Sequence, residues 1–172
     1  MGYSTNLLVL ANQSLGDVIA VAPWPTCKLT RAHRDVDGTT AMSGAVTHAA
    51  AEIGVNLVWW DRRGELACAH YHDVYEQLSR SGPLLMAHFD SVTSNYGVSY
   101  YTAGALRRYV GYVSGQLRSN VCKGSPLDEE IDIVRPAWGY DEDWVFTLVE
   151  RLFGLGHIAL ETATYAVLDY PD

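Results

Sequence analysis

LLMAHFDSVTSNYGVSYYTAGALRRYVGYV, residues Leu84 to Val113, is the stretch whose reading decides the fold. In its first part Leu85, Ala87 and Phe89 alternate with Met86, His88 and Asp90, the period of a strand with unlike faces. Ser94-Asn95 offers a turn, because short polar side chains bond to nearby backbone. Tyr96–Thr102 is aromatic and β-branched, which suits a pleated, half-buried surface. Ala103-Gly104 supplies a second turn, and Arg107 to Val113 a third strand. The expectation is a three-strand meander, about the smallest sheet that is stable in water.

Outward from the meander, Thr5–Asn12 and Asp17–Ala22 read as an apolar strand pair, stopped by Pro23-Trp24-Pro25. Residues 26–38 read as a surface connection. Thr39–Ile53 reads as a helix, with Ala41, Met42, Ala45, Val46, Ala49, Ala50 and Ile53 on one stripe. Val55–Trp60 and Glu65–His72 flank Asp61-Arg62-Arg63-Gly64 as a hairpin, and Asp73–Ser81 reads as a short helix. Ser114–Ile133 is loop. Asp141-Glu142-Asp143 stands where a helix dipole favours acids, and Glu142–Phe153 is the helix that follows, closed by Gly154. Leu155–Thr162 adds a helical turn and Ala163–Leu168 a last strand. Together these give one α+β domain over residues 1–172, a mixed or mainly antiparallel β-sheet packed against two main helices.

The order of elements resembles that of small uncharacterised bacterial α+β proteins to which no activity is assigned. Phe89, Ser91 and Val92 match their F-x-S-V-like strand, and Tyr101, Gly104, Leu106 and Arg108 match their aromatic hairpin. Gly124, Pro126, Leu127, Glu129 and Glu130 match a G-x-P-L-x-E-E loop, and Glu150, Arg151, Leu152 and Gly154 a closing helix. The resemblance implies a fold and carries no chemistry.

A net charge of −8, with 48% hydrophobic and 19% charged residues, fits an ordinary globular chain. It argues against sequence-general nucleic-acid binding and favours a basic protein partner by steering. The chain shows no signal-peptide pattern and no apolar run near the ~20 residues of a membrane span, so a cytoplasmic setting is expected. Cys27, Cys68 and Cys122 match no metal-ligand spacing and read as free thiols.

No nucleophile elbow, phosphate cradle or dinucleotide fingerprint occurs, so an enzyme is the less favoured reading and no cofactor is expected. Two constellations remain. His70 and His72, and His88 and Asp90, stand two apart on strand-like runs, a spacing that lets both members of a pair reach one metal if the strands adjoin. Interfaces are enriched in tyrosine, tryptophan and arginine. On that ground Trp60, Arg62, Tyr100, Tyr101 and Arg107, with the acidic edge Asp128, Glu129 and Glu130, make the favoured binding surface. The expected function is a small acidic protein-binding module, of an immunity or inhibitor type that occludes a partner. The alternatives are a small metal-dependent enzyme using the strand-borne histidines and a self-assembling homo-oligomeric subunit.

Overall fold

The alternating runs become strands, and the runs apolar on both sides become the middle of the sheet. A computed structural model describes residues 4–21, 28–66, 71–114, 121–137 and 139–170. Among these, the strands are β1 (Ser4–Ala11), β2 (Thr30–Asp37), β3 (His48–Ile53), β4 (Asn56–Asp61), β5 (Leu84–Asp90), β6 (Asn95–Thr102), β7 (Ala105–Val113), β8 (Val121–Lys123) and β9 (Thr164–Asp169). They form one sheet in the order β2-β9-β3-β4-β1-β5-β6-β7-β8. Every neighbouring pair is antiparallel. The helices are α1 (Leu15–Val21), α2 (Gly38–Met42), α3 (His72–Leu78), α4 (Glu142–Phe153) and α5 (His157–Thr162).

The α+β class and the antiparallel sheet agree with the sequence reading, as does the meander β5-β6-β7. Ala103 and Gly104 both take positive φ, 52° and 75°, which gives the twist that matches a two-residue hairpin. Between Tyr100 and Tyr101 the pairing with β7 shifts from Arg108 to Leu106, so Arg107 is the extra residue of a bulge. The helix expected at Glu142–Phe153 forms as α4, capped by the Asp141 carboxylate, which accepts from the Trp144 N–H.

Five segments differ from the expectation. Residues 30–37 of the expected surface connection form edge strand β2, because a strand on one edge of the sheet can be polar and charged, and residues 121–123 of the expected loop form edge strand β8. Asp17–Ala22 lies in helix α1 and not in a strand, except Ala22, which is outside the described residues. Ser14 and Asp17 cap that helix reciprocally: Asp17 N–H donates to Ser14 Oγ, and Ser14 N–H donates to Asp17 Oδ2. Thr39–Ile53 is not one helix either. It ends after the five residues of α2, turns through Gly44 at φ 71°, and returns as β3. Alanine-rich β3 is stabilised as a strand by its neighbour, because Ala49 stands opposite Trp60 and Ala50 opposite Trp59. One helix of 12 residues and four of five to seven therefore pack on the sheet. Finally, β4 makes its hairpin with β3 through Gly54-Val55 and pairs with β1 on its other side. Of the expected partner run, Glu65 and Leu66 follow β4 in a bend, His72 begins α3, and 67–70 lie outside the described residues.

Both faces of the sheet are covered. Leu7, Val9, Trp60, Phe89 and Val98 join α2, α4 and α5 in one core, while Leu8, Leu10, Trp59, Leu84 and Tyr101 join α1 and α3 in the other. The helices α2 and α5 meet so closely that a Cβ on Gly38 would lie 1.9 Å from the Leu160 carbonyl oxygen. Gly38→Ala is expected to cost about 3 kcal/mol in urea unfolding, the upper end of ordinary overpacking. A loss below about 1 kcal/mol would show that the two helices can separate freely.

Candidate functional site

Two features stand out from this frame: a polar row across the sheet, and a pinned acidic loop at one of its edges.

The row runs through the central strands. His48 on β3 stands opposite Asp61 on β4, Asp61 opposite Asn6 on β1, and Asn6 opposite His88 on β5. Gly97 and Gly111 continue it across β6 and β7. His48, Asp61 and Asn6 are buried, so each needs internal partners. Asp61 accepts from the backbone N–H groups of Arg63, Gly64 and Leu66 at 2.7–3.1 Å, which shapes the turn after β4. Burial pushes its carboxyl above the usual range, against those bonds and the facing His48. His48 Nε2 lies 3.0 Å from Glu65 Oε2, and its Nδ1 lies 3.6 Å from Asp61 Oδ1. The Tyr170 hydroxyl also donates to Glu65 Oε2. Nε2 is thus bonded to Glu65 while Nδ1 makes no hydrogen bond, and it is full burial that keeps the ring from a substrate.

His88 is different. Asn6 Nδ2 donates to the Asp61 carbonyl, which can only accept, so Asn6 Oδ1 is turned to His88 Nδ1 at 2.9 Å. That contact puts the ring proton on Nδ1 and leaves Nε2 as a lone-pair acceptor. Burial by its surroundings lowers the His88 pKa from 6.5, opposed by the charge of Asp90, although the residue keeps an exposed edge.

The second feature is the segment from Gly124 to Arg135. Residues 128–143 hold seven of the chain's 20 acids and one basic residue, Arg135, and so account for −6 of the net −8. Arg108 and Glu130 are the buried anchor. Nε donates to Oε1 at 2.7 Å and Nη2 to Oε2 at 2.9 Å, while Nη1 donates to the Gly124 carbonyl at 3.0 Å. From α4, Arg151 Nη1 donates to the carbonyls of Glu129 and Ile131 at 3.0 and 2.5 Å. Asp132 is held at φ 64°, a left-handed conformation that aspartate tolerates. On this fixed backbone Ile131 is 57% exposed and Val134 87% exposed.

The residues singled out from the sequence divide between core and surface. Trp60 and Tyr101 are core side chains on opposite faces. Arg62 is exposed at the far end of β4, where its stem would touch a Cβ on Gly44. Tyr100 lies within electrostatic reach of Glu129 and Arg107, and Asp128 and Glu130 flank Glu129 in the loop. Burial raises the Tyr100 pKa, as does the charge of Glu129, against that of Arg107. Glu130 is the loop's internal anchor, Asp128 is exposed, and Glu129 is half-buried.

Of the metal alternative, His70 lies outside the described residues. His72 starts α3 and meets Tyr101 Oη at 3.0 Å, and Tyr101 pairs with Leu84. His88 is four residues further along β5, roughly 13 Å at strand rise. Asp90 is engaged in capping the next turn through Thr93. Among the described residues no group of three or more His, Cys, Asp or Glu is placed to hold a metal ion, and no helix is long and apolar enough to cross a membrane.

Compared with known proteins, the chain matches no family model, no curated protein and no solved structure.

Two outcomes check this geometry. Arg108→Met leaves the Glu130 carboxylate buried without its partner and is expected to cost about 3–5 kcal/mol in urea unfolding, much of it regained in Arg108→Met/Glu130→Leu. An unaltered midpoint in the single variant would remove the anchor. For His88, a lowered folded pKa means that the unfolded chain holds more protons below 6.5. Stability should therefore fall as pH drops through 6.5, and less steeply in His88→Gln. An NMR titration midpoint at or above 6.5 for His88 would contradict the shift.

Proposed function

We propose that the protein is a non-catalytic protein-binding module of the immunity or inhibitor type, which covers a basic site on its partner with the acidic loop. The pinned loop is the observation that carries this reading. A buried bidentate ion pair and two bonds from Arg151 hold an exposed segment in one shape, with Ile131 and Val134 at its tip. Pre-organisation of this kind lowers the ordering cost of association. Asp128, Glu129 and Asp132 in the loop would steer a cationic partner and set the polar rim, with Tyr100 and Arg107 beside Glu129. The setting we propose is the cytoplasm, where the exposed Cys122 would stay reduced.

One observation favours a second, enzymatic reading. His88 is an exposed residue with a fixed tautomer whose Nε2 is the acceptor, the form a general base needs. It lacks a described nucleophile beside it, and the binding reading is preferred for that reason.

The test is capture by the immobilised protein of a near-stoichiometric basic partner from its native host, repeated with two variants. Ile131→Asp/Val134→Asp should abolish capture while the unfolding midpoint stays within about 0.5 kcal/mol of the parent, as for surface sites. Asp128→Lys/Glu129→Lys should weaken it and reduce its salt dependence. Retention of the partner by both folded variants would sink the loop as the contact surface.

A further inference from the structure

We propose that a cleft at the opposite edge of the sheet binds a small apolar amine, a single ring with a short cationic tail. The cleft lies between α1, β2, β3 and β9 and has a volume of about 350 Å³, within the range of small-molecule sites. Its floor exists because two alanines meet: Ala50 on β3 stands directly opposite Ala166 on β9, where the same face elsewhere carries Trp59, Leu57 and Leu168. Leu15, the first residue of α1, and Leu57 wall it with apolar surface.

Chemistry at the rim selects the ligand's charge. Asp35 and Arg31 lie on β2 on either side of a break in its pairing with β9: Arg31 pairs with Leu168, and Asp35 already with Ala166. Such bulges re-aim side chains, and here both line the cleft. The two neutralise one another at 3.1 Å. Glu52 is the remaining charge. Its Oε1 accepts from the Leu15 N–H at 3.2 Å, so the carboxylate is held at the mouth with no cation against it among the described residues. An ammonium group beside Glu52, with its ring on Ala50 and Ala166, satisfies both surfaces. A carboxylate of the same size would face the charge of Glu52, since Arg31 is already answered by Asp35.

The probe is phenylethylamine, titrated into isotope-labelled protein with phenylpropionate as the control of opposite charge. The amine is expected to shift the amides of Leu15, Glu52, Leu57 and Ala166 saturably, and the acid is not. Glu52→Gln should weaken the amine about five-fold, the worth of one partly exposed ion pair. Ala166→Leu, which fills the floor, should abolish saturation, and its amide spectrum reports whether the sheet is intact. If that variant does not fold, Glu52→Gln decides alone. Absence of saturable shifts at these amides overturns the proposal, as does equal binding of the acid or unchanged affinity in Glu52→Gln. Neither result bears on the loop, which lies by β7 and β8 at the other edge.

Discussion

Burying β1 on both faces is the constraint from which the rest follows. Leu7 and Val9 face one core, Leu8 and Leu10 the other, and β4 and β5 flank them on either side. A strand with apolar residues on both faces needs cover above and below. The short helices α1 and α3 supply it on one side, and α2, α4 and α5 on the other. At the entry to β1 the chain meets the same burial with polar atoms, since Thr5 and Asn6 are also enclosed. Asn6 must then find partners at its own level of the sheet, and the residues at that level on neighbouring strands are Asp61 and His88. The polar row is thus the far boundary of the doubly buried core.

That row also limits how the strands can pair. A slip of one residue would turn every apolar side chain to the wrong face, and both faces here are packed, so a shift of two would cost less in pattern. A two-residue shift between β3 and β4 would take His48 from Asp61, leaving buried polar groups unmatched. Burying His48 with Asp61 and Glu65 brings uncertain net stability, because desolvating charges offsets their attraction. Fixing the register is the role that this arrangement fills with the contacts observed.

Much of the architecture was legible where local and global preferences agree. Alternation, aromatic content and the Ala103-Gly104 turn gave the meander, and the acids before Trp144 gave α4. Residues 17–21 are as apolar as a strand, and only the Ser14–Asp17 capping pattern marks them in the sequence as the start of a helix. β3 was misread because alanine prefers helix, and the tryptophans that stabilise it as a strand belong to β4. The site was less legible still. Each member of the polar row sits at or near the end of a different run, and His88 and Asn6 are 82 residues apart in the chain. Local sequence marks Arg108 only as part of a hairpin and Glu130 only as one of an acidic edge, whereas the two form a buried pair across 22 residues.

Where this protein can meet a ligand follows from where its polar groups are already used. In the middle of the sheet most polar groups are enclosed: His48 is bonded to Glu65, and Asp61 to three backbone donors, with His88 the exposed member of the row. Toward the edges the same kinds of groups hold backbone in shape and leave chemistry exposed. Edge strands are a liability unless shortened or broken by charge and bulges. β8 has three residues, and β2 is charged and interrupted in its pairing. Each device that blunts an edge also makes a feature there. The interruption of β2 turns Arg31 and Asp35 toward a cleft, and the stop after β8 leads into the loop anchored by Glu130. The buried middle specifies the fold, and the two edges are where charge stands exposed on fixed backbone.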